Sequence, residues 1–260
     1  MPPLKKRFGQ HFLHDEFVLE RIASACVATP GDQTIEIGPG GGALTAHLLR
    51  RLETLHVIEI DRDLIADLGR RFPADRVTVH EADVLRFAIC ALGSSALRVV
   101  GNLPYNISSP LIFHLLDQPC IQSMVFLLQK EVVDRLAAPP GGHDYGRLSV
   151  MVQARCEVTP LFTVSADAFT PPPKVESRLV YLRPIANKIE VDDLARFAQI
   201  VAAAFSQRRK MLRHSLKRYF ADGDWRVLGI DPTRRAETLT FKDFAALAAY
   251  RGDLSGMTKN

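Results

Sequence analysis

Asn102, Leu103, Pro104 and Tyr105 follow directly on the run Leu97-Arg98-Val99-Val100-Gly101, so an Asn-x-Pro-aromatic turn closes what reads as a buried strand. In such a turn the Asn102 carboxamide oxygen, a backbone carbonyl at Leu103 or Pro104, and the ring of Tyr105 can converge on a planar group bearing an exocyclic amine. An aryl amine is a weak nucleophile because its lone pair is delocalised into the ring. Two acceptors that hold its hydrogens push the nitrogen toward a tetrahedral shape, which is the chemistry needed at N6 of adenine. A plain strand-to-loop turn uses the same residue types, so the tetrapeptide needs a second motif.

That motif lies upstream. Thr34-Ile35-Glu36-Ile37 runs into glycines at 38, 40, 41 and 42, and a helix pattern then places Leu44, Leu48 and Leu49 on one face. Glycines there let the backbone turn sharply and approach a ligand closely. The following strand, Leu55 to Ile60, carries Glu59, 21 positions after Gly38, where a carboxylate can accept from a ribose diol. A third strand, Val77 to His80, leads into Asp83, placed to accept from an adenine amine; as a loop acid or helix cap it would only turn the chain. Glu36, ahead of the glycines, would repel a pyrophosphate but suits the cationic, phosphate-free end of S-adenosylmethionine. The pattern favours that methyl donor over a dinucleotide.

Elements that would hold these groups alternate along the first half. Strands are expected near 34–38, 55–60, 77–80 and 97–101, and helices near 15–28, 43–52, 62–71 and 108–116. Met124 to Leu128 reads as a buried strand, and the runs Cys156 to Val164 and Ser177 to Leu182 as a closing antiparallel hairpin. The fold class is a doubly wound, Rossmann-like α/β sheet with an antiparallel edge hairpin. Beyond Arg183-Pro184 the periodicity is helical, over Leu194 to Phe205, Gln207 to Phe220 and Phe241 to Arg251. Domains of 1–183 and 184–260 follow. Three prolines after Phe169-Thr170 stiffen a loop; laid over the Asn102 turn, it would let Phe169 and Tyr105 sandwich a flipped adenine, whereas as a linker it would leave Phe169 in the core.

The chain has 260 residues, 47% of them hydrophobic, and a net charge of +4, enough apolar material for one or two cored domains. The charge is unevenly spread. Through residue 180 there are 18 Lys and Arg against 20 Asp and Glu, and beyond it 15 against 9. Arg208, Arg209, Lys210, Arg213, Lys217 and Arg218 fall within fourteen residues that hold no acid. On one helix, Arg209, Arg213 and Lys217 would form a stripe facing a phosphate backbone rather than a merely solvated face. Cys26, Cys90, Cys120 and Cys156 form no close pair and read as reduced thiols, neither disulfide nor metal ligands. No export segment or membrane-length apolar run is seen.

Further matches join these. Phe8-Gly9-Gln10-His11-Phe12-Leu13, Ile37-Gly38-Pro39-Gly40, Val57 to Asp61, Asp83, Gly101 to Tyr105, Gly146-Arg147-Leu148-Ser149, Phe169 to Ser177 and Phe205 to Arg213 stand in order along nearly the whole chain. In them the chain resembles the ribosomal RNA adenine N6,N6-dimethyltransferases, in their bacterial small-subunit form. The resemblance implies transfer of methyl groups from S-adenosylmethionine to two adjacent adenosines in a hairpin near the 3′ end of small-subunit ribosomal RNA. It places His11, Leu13, Gly38, Glu59, Asp83 and Asn102 around the cofactor, with histidine at 11 where the family pattern has asparagine. The expected protein is a cytoplasmic monomer acting on a pre-ribosomal 30S particle, by direct transfer without a covalent intermediate or a metal. Three other readings use some of the same features: a nicotinamide-dependent oxidoreductase, a large-subunit adenosine methyltransferase of the antibiotic-resistance type, and a ribosome-assembly factor with a vestigial cofactor site.

Overall fold

The computed structural model describes residues 11–26, 32–93, 96–104, 107–186, 193–207 and 209–252. The chain divides into two compact units, one of residues 1–133 and 157–184, the other of 134–156 and 185–260. This differs from a single cut at 183, because Tyr145, Val150 and Ala154 share a core with Phe197, Ile200 and Phe244.

In the first unit, β1 (Phe12–Leu13) leads to α1 (Glu16–Ala25), whose cap Asp15 accepts from the Val18 amide at 2.9 Å. Then come β2 (Gln33–Ile37), α2 (Ala43–Leu48), β3 (Leu55–Glu59), α3 (Arg62–Arg71), β4 (Val77–Glu81), β5 (Leu97–Asn102), α4 (Ser108–Leu116) and β6 (Ile121–Gln129). α5 (Lys130–Ala137) and α6 (Arg147–Gln153) precede β7 (Cys156–Val164), β8 (Phe169–Thr170) and β9 (Ser177–Pro184). Seven strands form one sheet in the order β4-β3-β2-β5-β6-β9-β7. The pairs β4–β3, β3–β2, β2–β5 and β5–β6 are parallel, and β6–β9 is antiparallel.

Burial explains the strand composition. β2 is buried at every position after Gln33, Thr34 and Glu36 included, as expected of a parallel strand covered on both faces. Strand order reverses between β2 and β5, so a crevice opens beyond their carboxyl ends. Packing requires Gly101 there: a Cβ would stand 2.6 Å from the Ile37 carbonyl oxygen.

The sequence offers no sign of the two-stranded pairing of β1 with β8, antiparallel with Leu13 opposite Phe169. Nor did spacing reveal that Cys90 and Cys120 form a disulfide, correcting the reading of four reduced thiols. A short 3₁₀ turn over Ile89–Leu92 and the entry to β6 bring the two Cα atoms to 5.6 Å, within bridging range. Cys26 and Cys156 are buried and take no part in that disulfide.

The second unit is helical, with α7 (Leu194–Phe205), α8 (Leu212–Ser215), α9 (Asp222–Leu228) and α10 (Phe241–Ala249) following α6. Their apolar faces meet around Phe197, Val201, Leu212, Trp225 and Phe244. Within it the Tyr145 hydroxyl donates to the Leu239 carbonyl at 2.8 Å; burial pushes that phenol up to about 12. Among the described residues no helix is long and apolar enough to cross a membrane.

Candidate active site

The crevice beyond β2 and β5 is a cavity of about 800 Å³, a size suited to a nucleoside cofactor. It is lined by His11, Leu13, Gly38, Glu59, Asp83, Asn102, Leu103 and Pro104, so residues from four strand ends and the amino-terminal segment come together. β2 delivers Gly38, whose amide donates to the Ile58 carbonyl at 3.0 Å and whose φ is +64°. The turn that follows needs glycine again at 42, where φ is +76° and a Cβ would stand 2.6 Å from the Phe72 ring.

Glu59 ends β3. Its Oε1 accepts from the amides of Ile60 at 2.8 Å and Asp61 at 2.9 Å, which fixes the carboxylate and leaves lone pairs for a ligand. Burial raises its pKa, against the pull of the Asp61, Ile60 and Gly40 amides. Asp83 follows β4; its Oδ1 accepts from the Leu85 amide at 3.0 Å. Glu36 is 2% exposed and accepts from the Thr45 hydroxyl at 2.6 Å. Burial, opposed by that hydrogen bond and reinforced by the charge of Glu59, lifts its carboxyl to about 8.

Asn102 ends β5. Its Nδ2 donates to the His11 carbonyl at 3.0 Å, which orients the carboxamide, and among the described residues its Oδ1 takes no hydrogen bond. Pro104 already accepts from the Ile107 amide at 3.2 Å, which among the described residues leaves the Leu103 carbonyl as the less committed backbone acceptor. The His11 ring bonds through Nδ1 to the Pro171 carbonyl at 2.8 Å, so its side chain ties two segments of the wall together.

The donor set discriminates between cofactors. Glu16, Glu36, Glu59, Asp67 and Asp83 line the cavity with a single arginine, Arg71, whose guanidinium bonds the Gly41 carbonyl. Glu36, buried and holding its proton, adds no charge, contrary to the repulsion expected of it from the sequence; the remaining acids still disfavour a dinucleotide's phosphates and suit a ribose, an adenine amine and a sulfonium cation, as in S-adenosylmethionine.

Comparison with known proteins agrees with this chemistry. The family profile described as ribosomal RNA adenine dimethylase matches residues 2–252. The chain belongs to that family. It is 51% identical over 252 residues to the ribosomal RNA small subunit methyltransferase A of Laribacter hongkongensis, covering 96% of both chains. It is 51% identical over 248 residues to the protein of that name from Thiobacillus denitrificans, covering 95% of this chain and 97% of the other. Among solved structures, a dimethyladenosine transferase from Plasmodium falciparum superposes with a TM-score of 0.78 at 26% identity, over 91% of this chain and 96% of that one. The 23S rRNA methyltransferase ErmE superposes with a TM-score of 0.68 at 25% identity, over 91% and 98%.

Against the dimethylase pattern, other expected site residues fall differently. Tyr105 and Arg208 lie outside the described residues. Phe169 is 2% exposed, packs in the core with Leu13, and is not among the residues that line the cavity. Arg209, Lys210, Arg213 and Lys217 are exposed, yet they form no continuous helical stripe. α7 ends at Phe205, and at Met211 the chain turns extended and bridges to Arg235. The amides of Leu212 and Arg213 then donate to the Arg234 and Pro232 carbonyls at 2.8 and 3.0 Å.

Sequence reasoning passed over Ile60, which lines the cavity while 50% exposed. An apolar residue directly after a strand-ending ribose acid was the available signal. Val84 and Leu85 add apolar lining next to Asp83.

Proposed function

We propose that the protein transfers methyl groups from S-adenosylmethionine to N6 of two adjacent adenosines in a hairpin near the 3′ end of small-subunit ribosomal RNA. The observation that carries this reading is Asn102: its carboxamide is oriented by the His11 carbonyl, its oxygen is uncommitted among the described residues, and it shares one cavity with Glu59 and Asp83. Bound there, the cofactor supplies an electrophilic methyl group on a sulfonium.

The chain's own residues perform the rest. Glu59 accepts from the ribose hydroxyls and Asp83 from the cofactor's adenine amine. Asn102 Oδ1 and the Leu103 carbonyl accept the two N6 hydrogens of the target base, which draws the nitrogen lone pair out of the ring and aims it into the cavity. Alignment of two bound reactants contributes about 7–11 kcal/mol to such a step. The ammonium product sheds its proton to water, so no side-chain base is required. A monomethylated amine keeps one hydrogen for one acceptor, which permits the second transfer. Tyr105 supplies a stacking face for the base, and Arg208, Arg209, Lys210, Arg213 and Lys217 contact RNA phosphates. The setting is a pre-ribosomal 30S particle in the cytoplasm, with the protein acting as a monomer.

Small subunits from a strain lacking this modification, incubated with protein and methyl donor and mapped by mass spectrometry, test the proposal. Dimethyladenosine at two adjacent positions of small-subunit RNA is expected. Modification of a single adenosine in large-subunit RNA would overturn it, and would favour an activity like that named for ErmE, whose fold this chain shares.

A further inference from the structure

Phe17 is 71% exposed, on the first turn of a helix whose neighbouring residues His14 and Glu16 line the cavity. Four residues on, one helical turn away, Arg21 is also exposed. Its guanidinium carbon stands 3.6 Å from the centroid of the half-buried Phe162 ring and 5.6 Å from that of Phe17. Among the described residues Arg21 makes no ion pair or hydrogen bond. The adjacent acid, Glu20, is already held by Arg51 and His47.

A large aromatic left in water costs solvation, and an arginine set over a ring with its N–H donors unspent presents its charge to whatever binds beside it. Together they offer a π-face for a base and a planar cation for the phosphate beside it, the pairing by which proteins bind unpaired nucleic acid. Charge complementarity selects the occupant: an apolar peptide would satisfy Phe17 and leave Arg21 unpaired, whereas a nucleotide satisfies both. Resting on the functional reading above, we infer that Phe17, Arg21 and Phe162 form a subsite on which a substrate base flanking the target adenosine stacks, with its phosphate on Arg21.

The test measures affinity for deproteinised small-subunit RNA, together with KM and kcat on unmethylated small subunits. Phe17→Ala is expected to weaken RNA binding and raise KM about tenfold, with kcat little changed, as loss of one base–aromatic stack predicts. Phe17→Tyr should restore both. Arg21→Ala should lower the salt dependence of RNA binding by about one unit of slope. Sinefungin affinity and melting temperature should stay at wild-type values in all three. Unchanged RNA affinity in Phe17→Ala, with wild-type protein active, would overturn the subsite and leave the enzymatic reading intact. Loss of affinity toward whole subunits but not toward deproteinised RNA would assign the patch to a ribosomal protein and also overturn it. A parallel loss of sinefungin affinity would make Phe17 part of the cofactor cavity and overturn it as well. A wild-type protein that leaves the RNA unmethylated would instead refute the enzymatic reading, and the subsite would fall with it.

Discussion

Glu36→Gln should change how the protein's stability depends on pH. The wild-type carboxyl is 2% exposed, hydrogen-bonded to Thr45, and lifted by burial from the ordinary 4.5 to about 8. The folded protein therefore keeps a proton that the unfolded chain releases above pH 4.5. Its stabilising contribution is whole below that pH and is lost as pH rises through about 8. At about 1.4 kcal/mol per unit, that gap sets a ceiling of about 5 kcal/mol. Glutamine accepts the same Thr45 hydrogen bond and does not titrate. The melting temperature of Glu36→Gln relative to wild type, in ligand-free protein, should thus climb between pH 5 and 8 and then level off. Half of the ceiling moves the midpoint by roughly 5–10 °C in a unit of this size. His56 and His80, whose pKa values burial lowers, give stability that rises with pH near neutrality, but equally in both proteins, so they cancel in the difference. Parallel melting curves from pH 5 to 9 would refute the assignment of a neutral, buried Glu36.

Asn102→Ala removes the oriented acceptor and should cost about tenfold or more in turnover with little loss of RNA affinity; equal losses in both would contradict its role. Gly101→Ala drives a methyl to 2.6 Å from the Ile37 carbonyl, forcing β2 and β5 apart. Thermal denaturation should show a loss of about 1–3 kcal/mol, and an unchanged midpoint would mean the sheet yields freely there. Replacing Arg209 and Arg213 with Ala should weaken RNA binding and flatten its salt slope; an unaltered slope would return these side chains to plain solvation.

Where one local rule and the tertiary packing agreed, the chain was readable. α3, α4 and α7 begin and end where periodicity puts them, and Glu59, Asp83 and Asn102 share one cavity because parallel strand ends converge on one edge of the sheet. What stayed hidden depends on distant partners. β1 has two residues and exists only through β8, so no period could announce it. The basic stripe failed for a related reason: Leu212 and Arg213 give their amides to the 232–234 segment, and propensity within 205–218 carries no trace of that competitor. Cys90 and Cys120 lie 30 residues apart, and only the chain's return to the start of β6, an interior strand, brings them together.

One hydrogen bond reaches far along the chain. Because Asn102 gives its amide proton to a carbonyl 91 residues away, the reactive geometry is complete only after the amino-terminal strand has docked. A protein nicked ahead of Asp15 would hold every acid that grips the methyl donor, lose the wall that His11 and Leu13 supply, and leave its asparagine free to spin, so turnover would fall further than cofactor occupancy.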